Sequence, residues 1–285
     1  MTSDIEKALK DKLRNLAKEQ GRDPGSLWQN LCLERFLVRL AKSRYREHLI
    51  LKGGILLSKY IEIGRETIDL DFLARKLINK VVDLKGIFEE IANIDLDDGF
   101  AFEEVKVKEL LHPHMGYPGA EVSMTAYYGK IRFKVAIDIG FGDIVSSIEY
   151  SIPLTKSSKG SLFEKNVNLY CYPKEFIFAE KLETIIYRGS FNSRMKDFHD
   201  IYSMISSSFF ESFYNLKRII RLVFEHRETP FTFPIAYSAS EMLQMQSFWN
   251  EYLKNLPEKI SEKLPKAFAS VVDEINNWLS TKLSL

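Results

Sequence analysis

Two carboxylates two positions apart, Asp69 and Asp71, stand in the alternating segment Thr67-Ile68-Asp69-Leu70-Asp71-Phe72. On a β-strand, side chains at i and i+2 leave on one face, so both acids point the same way. Paired carboxylates repel unless a cation lies between them, and this spacing predicts a site for a divalent metal. Upstream, the apolar run Leu49-Ile50-Leu51 closes on Lys52-Gly53-Gly54. Glycines at such a corner let the backbone bend tightly and present N–H groups that a phosphate can approach. A phosphate cradle followed by paired carboxylates is what nucleotidyl transfer requires. Taken singly, each half has a plainer reading, as a solvated strand face and an ordinary strand-to-helix turn.

The elements that must position these residues follow from periodicity. Residues 4–20 carry Ile5, Leu9, Leu13 and Leu16 at helical spacing and end at Gly21. After the turn Asp23-Pro24-Gly25-Ser26, a second helix capped by Ser26 runs toward Ser43, with Leu27, Leu31, Phe36, Leu37 and Leu40 as its apolar stripe. A strand over 48–52, the glycine turn, a short helix from Ile55 to Ile61 and a strand over 67–73 come next. A helix over 82–93 precedes strands marked by Phe102, Val105 and Val107 and by Val122 to Tyr128, with a hairpin turn at Tyr128-Gly129-Lys130. In Arg132 to Ile139, Phe133, Val135 and Ile137 share one face, and Arg132, Lys134 and Asp138 share the other. An exposed connection is expected over Lys156 to Ser161. Helices follow over 174–188, 195–206, 209–226, 238–254 and 265–281, with Phe248, Tyr252 and Phe268 read as core residues.

The expected fold class is therefore α+β: a helical lead-in over 1–45, a mixed α/β core over 46–160 and an all-helical part over 161–285. A chain of 285 residues can bury a sizeable core. Its net charge of +1 advertises no global attraction to nucleic acid, so any such surface is local. Lys156, Lys159, Arg188, Arg194 and Lys196 are candidates for a basic strip along an RNA backbone. Cys32 and Cys171, the two cysteines, support neither a disulfide framework nor a zinc site, and a reducing, cytoplasmic setting is expected. His112 and His114 have no third ligand nearby in sequence and read as loop residues. The segment Met1 to Leu13 lacks the apolar core of a signal peptide, and no run has the length to span a bilayer.

Six blocks in order complete the picture. Lys52-Gly53-Gly54, Arg65-Glu66-Thr67-Ile68-Asp69-Leu70-Asp71-Phe72, Asp138-Ile139-Gly140-Phe141-Gly142-Asp143, Tyr172-Pro173-Lys174-Glu175, Ala179-Glu180-Lys181-Leu182-Glu183 and Ser193 to Tyr202 resemble the AbiEii/AbiGii toxin family. The resemblance includes the helix with Glu34-Arg35-Phe36-Leu37 and covers most of the chain. It implies a polymerase-β-like nucleotidyltransferase core with an appended helical domain. It also implies a nucleoside triphosphate as donor, the 3′ end of tRNA as acceptor, and a cognate antitoxin as partner in a type IV abortive-infection system, a phage defence.

On that reading Asp69 and Asp71 bind Mg²⁺, a hard cation that prefers oxygen ligands. Asp138 is a third carboxylate, acting as metal ligand or as base toward the attacking hydroxyl, or else pairing with Arg132 or Lys134. Gly53 and Gly54 approach the phosphates, although Ile55 follows where many nucleotidyltransferases carry Ser or Thr; the next hydroxyl is Ser58. Arg65 meets phosphate, braces Asp69, or makes a surface ion pair. The resemblance places Lys181 at a nucleotide-contacting position. It also has Lys196 contacting phosphate and Asp197 orienting Lys181 or a base. Lys196 and Asp200 otherwise form an ordinary i,i+4 pair. Asp143 reads as a turn residue and His199 as a surface histidine. Two other functions remain open: transfer to a small molecule or a protein hydroxyl, and a non-catalytic nucleotide-binding partner.

Overall fold

The computed structural model describes residues 2–75, 81–110, 119–207, 209–210 and 212–283; His112 and His114 lie outside them. The chain divides into two compact units, one made of residues 1–59 and 66–172, the other of 60–65 and 173–285.

The first unit opens with helix α1, Thr2–Gln20, which buries Leu9, Leu13, Leu16 and Ala17. Helix α2 spans Pro24–Lys42 and begins ahead of the expected Ser26 cap. The cap is Asp23, whose carboxylate accepts the Ser26 N–H at 2.8 Å. Pro24, with no N–H to satisfy, fills the first helical position.

Strand β1 (Leu49–Lys52) runs straight into helix α3 (Gly53–Tyr60), so the helix starts at the glycine pair itself. After β2 (Asp69–Ala74) come α4 (Val81–Ala92), β3 (Phe100–Leu110), β4 (Gly119–Tyr128) and β5 (Ile131–Gly140). The unit closes with β6 (Ile148–Pro153), a small ribbon of β7 (Lys156–Ser157) and β8 (Gly160–Ser161), and β9 (Asn166–Cys171). Seven strands form one mixed sheet in the order β3-β4-β5-β2-β1-β9-β6. β2 lies parallel to β5 and antiparallel to β1, and β1 is parallel to β9. β6 and β9 were not foreseen; in β9 the short alternation of Val167, Leu169 and Cys171 supplies the buried face.

The core of this unit packs Phe36 of α2 against Phe88 of α4 and Phe102 of β3. Beside it lies a buried charge cluster. Arg35 Nε lies 2.6 Å from Asp98, Arg39 forks onto both Asp98 oxygens at 2.9 and 3.0 Å, and Arg39 also donates to the Phe100 carbonyl. Glu164 takes the other end of Arg35. Burial opposes the Asp98 charge, but the two guanidinium groups and the Phe100 N–H hold its pKa below the usual carboxylate range.

The second unit holds α5 (Lys174–Arg188), a 3₁₀ turn (Gly189–Phe191), α6 (Met195–Ile205) and α7 (Phe213–His226). α8 (Ala239–Lys254), the short α9 (Glu258–Ser261) and α10 (Phe268–Leu283) complete it. α7 starts later than 209 because Ser212 caps it, and a Ser238–Glu241 capping box starts α8. Phe198, Trp249 and Phe268 interlock at the centre of the unit. Of the aromatic residues expected there, Phe268 is buried, while Phe248 and Tyr252 are half-buried. Among the described residues, no helix is long and apolar enough to cross a membrane.

Removing one partner of a buried charge cluster leaves the others desolvated and unpaired, typically at a cost of about 3–5 kcal/mol. Asp98→Ala is therefore expected to lower unfolding free energy by about that amount in urea titrations. A change under about 1 kcal/mol would show that the two arginines find other partners.

Candidate active site

The strand register assembles the acids of the first unit. Lys52 of β1 pairs with Asp71 of β2, Asp71 with Asp138 of β5, and Asp138 with Glu121 of β4. Directly paired residues share a face, so these four form one row across four strands. Asp69 stands on the same face of β2, opposite Ala136. Leu70 and Phe72 turn the other way and are fully buried. The apolar face fixes the register, and the register brings Asp71 and Asp138 side by side at the inter-strand spacing of about 4.8 Å.

Gly53, next to Lys52 at the end of this row, is a glycine by necessity. Its φ of +74° lies in the left-handed region that favours glycine. A Cβ placed there would lie 1.9 Å from Asp71 Oδ2 and 2.4 Å from its Cγ. The Asp71 carboxylate thus rests against the first residue of α3, where the helix dipole favours negative charge. Ile55 is 3% exposed and packs in the core, so this position brings no hydroxyl to the face of the acids. The sequence reading of Asp143 as a turn residue misses its role. It lies in the loop after β5, where its Oδ2 sits 2.8 Å from Lys52 Nζ and accepts the Tyr172 hydroxyl at 3.1 Å.

Among the described residues no group of three or more His, Cys, Asp or Glu side chains is gathered to hold a metal unaided. Mg²⁺ does not require one: it keeps several waters and is bound through one or two carboxylates together with substrate phosphates. The hard oxygens of Asp69, Asp71 and Asp138 on one face fit that demand.

A second cluster lies within the helical unit. Lys181 Nζ on α5 is 2.8 Å from Asp197 Oδ1 and 2.8 Å from Asp200 Oδ2, both on α6. Arg65 forks onto Asp200 with two contacts of 2.7 Å, a bidentate geometry that only Arg provides. Burial opposes the Asp200 charge, but Lys181 and Arg65 outweigh it and hold its pKa down to about 2. Burial also works against the Lys181 charge, and Asp200 and Asp197 raise its pKa nevertheless. Arg194 Nε lies 3.3 Å from Asp197 Oδ2, in a geometry too poor for a hydrogen bond.

Three expectations change here. Arg65 is bound within this cluster rather than exposed on the surface. Asp200 is the central carboxylate, whereas Lys196 makes no hydrogen bond or ion pair among the described residues. His199 is buried, with Nδ1 2.7 Å from the Tyr252 hydroxyl, because α6 buries every residue from Asp197 to Ile201. Burial, and then Arg65 and Lys181 against the opposing Asp200, lower the His199 pKa to about 4. Of the basic-strip candidates, Lys156 and Lys159 belong to the first unit and Arg188, Arg194 and Lys196 to the second.

This architecture is that of a nucleotidyltransferase. Of the solved structures similar to it, MenT4, a nucleotidyltransferase toxin from Mycobacterium tuberculosis, aligns with a TM-score of 0.59 at 17% identity, over 95% of this chain and 89% of that one. A putative nucleotidyltransferase from H. pylori aligns with a TM-score of 0.50 at 14% identity, over 92% and 96%. No curated protein matches the sequence. The sequence description of the nucleotidyl transferase AbiEii toxin, type IV toxin–antitoxin system, matches residues 35–274, and the chain belongs to that family.

His199 is neutral in the fold, so its contribution to stability is complete above its unfolded pKa near 6.5 and is lost as pH falls toward 4. Asp200 must stay ionised, so its contribution is lost in a further step between about 3.9 and 2. Denaturant titrations from pH 7 to 4 are expected to show a loss of roughly 3 kcal/mol from the His199 step alone. His199→Gln should flatten that window, and an unchanged slope would assign the loss to other groups.

Proposed function

We propose that the protein transfers a nucleotide from a nucleoside triphosphate to RNA, with the 3′ end of a tRNA as acceptor, in a Mg²⁺-dependent reaction. The observation that carries this reading is the contact between Asp71 and Gly53. It joins the carboxylate face to the corner where β1 meets the N-terminus of α3. Such a corner is a place for phosphate, because the first N–H groups of a helix lack partners within it. When bound, the metal neutralises charge on the triphosphate and polarises the phosphoryl group under attack.

The residues then divide the work. Asp69 and Asp71 hold the metal, and Asp138 either joins them as a ligand or takes the proton of the attacking hydroxyl. The backbone at Gly53 and Gly54 cradles phosphate, and Lys181 is a nucleotide-contacting cation. Asp197 and Asp200 hold the Lys181 ammonium in place, and Arg65 acts through Asp200. Lys196, on the first turn of α6, is a further contact to phosphate. Pyrophosphate leaves. In the cell the protein would act in the cytoplasm as the toxin of an abortive-infection, phage-defence pair, held in check by a cognate antitoxin.

The net charge of +1 favours a second acceptor class, a small molecule or a protein hydroxyl, with the same donor chemistry. One assay separates the two: purified protein, Mg²⁺, each labelled ribonucleoside triphosphate in turn, and total bacterial RNA. Label is expected in a tRNA-sized band and is expected to vanish with Asp69→Asn or Asp71→Asn, while both variants keep the wild-type fold by circular dichroism. Label retained by Asp71→Asn would refute the metal assignment. Bound triphosphate without labelled RNA would move the acceptor to the second class.

A further inference from the structure

Lys52 is the one cation in the row of paired positions that otherwise holds Asp71, Asp138 and Glu121. Its ammonium is held by a carboxylate and by an aromatic ring. Asp143 Oδ2 lies 2.8 Å away, with the two side chains only 17% and 12% exposed. The Tyr172 hydroxyl binds the same carboxylate oxygen, and the Tyr172 ring centroid lies 5.1 Å from Lys52 Nζ. Tyr172 is itself fully buried and tied to β1 by its N–H, which donates to the Leu51 carbonyl at 2.9 Å.

The ion pair sits over the carboxylate face. A Cβ placed on Gly140 would lie 3.6 Å from Lys52 Nζ and 4.0 Å from Asp143 Oδ2. Gly140 is two residues beyond Asp138 on β5, hence on the same face and about 7 Å along the strand. The Lys52 side chain therefore leaves β1, passes over β2, and ends beside Gly140 of β5, on the face that carries Asp138. Arg132 and Lys134 share that face of β5, but lie about 13 Å or more from Asp138 along the strand.

Resting on the metal-site reading of Asp69, Asp71 and Asp138, we infer that Lys52 is the standing counter-charge of that site. It stabilises the carboxylates before a divalent cation arrives, and it weakens the binding of that cation by repulsion. Lys52 is thus a positioning residue whose charge sets how tightly the site takes metal. Asp143 and Tyr172 keep that charge in place. Like charges roughly 7 Å apart near a mostly buried surface interact strongly enough to change affinity severalfold.

The test uses the full-length protein and Mn²⁺ as the probe, with free Mn²⁺ followed by electron paramagnetic resonance. Lys52→Met is expected to bind Mn²⁺ at least fivefold more tightly than wild type, and Lys52→Arg to bind like wild type. In chelator, Lys52→Met should melt at a lower temperature, and adding Asp71→Asn should restore part of that loss, since it removes the repulsion left behind. A folded Lys52→Met with equal or weaker Mn²⁺ binding overturns the inference, as does the absence of any restoration by Asp71→Asn. If Lys52→Met does not fold, Lys52→Gln, neutral and able to donate to Asp143, is read by the same criteria. Mn²⁺ binding by Asp71→Asn equal to wild type would instead refute the metal reading itself, and the inference with it.

Discussion

The approach of the Asp71 carboxylate to the Cα of Gly53 is the constraint on which the first unit turns. It requires a residue without a Cβ at the first position of α3, in a backbone conformation that glycine adopts readily. It also requires β1 and β2 to be paired in one register only, because a slip of one residue would send Asp71 into the apolar layer occupied by Leu70 and Phe72. The same register sets Asp138 beside Asp71 on the far side of β2. Three strands that meet nowhere in sequence are thereby committed to one face. The burial of Leu49, Ile50, Leu51, Val135 and Ile137 enforces the arrangement that the acids alone would resist.

The two units solve the problem of buried charge in related ways. Asp98 in the first and Asp200 in the second are carboxylates with almost no exposure, and each is matched by two cations. In both, at least one cation is an arginine that grips both oxygens, so the desolvation cost is offset by directed hydrogen bonds as well as by charge. The difference lies in what the cluster serves. Arg35 and Arg39 spend their donors on Asp98, Glu164 and the Phe100 carbonyl, which is a structural use. Lys181, by contrast, is a flexible amine held between two acids on a neighbouring helix, a setting that fixes its position without using a planar fork.

Much of this was legible in the sequence, and the reasons differ by element. The alternation of Asp69-Leu70-Asp71-Phe72 announces both a strand and its two faces, and the strand at 131–140 reads the same way. Helices with caps and apolar stripes were visible to within a few residues; the caps Asp23 and Ser212 set the starts of α2 and α7, α3 starts at the glycine pair rather than at Ile55, and α10 runs over Phe268–Leu283 rather than 265–281. β6 and β9 were missed because Glu149, Ser151, Asn166 and Asn168 leave few strongly apolar positions, and their strand state is fixed by pairing with each other and with β1. The grip of Arg65 on Asp200 joins residues 135 apart in sequence, a distance no local pattern spans. The burial of His199 was hidden for another reason. A polar run such as Lys196-Asp197-Phe198-His199-Asp200 looks like a solvated turn until partners for its charges are known. Asp143 looked like punctuation after Gly142, and only the fold brings Lys52 and Tyr172 to it.

The helical unit is not a continuous piece of chain. Residues 60–65, which lie between α3 and β2, belong with 173–285, so the polypeptide passes from one unit to the other three times. Arg65 is part of that borrowed segment, and Asp200 depends on it. A gene fragment beginning at Pro173 would therefore encode a helical bundle with its most buried carboxylate stripped of its arginine. Truncation at the apparent boundary thus removes a charge partner that the sequence order hides, because the helical unit is completed by residues 60–65.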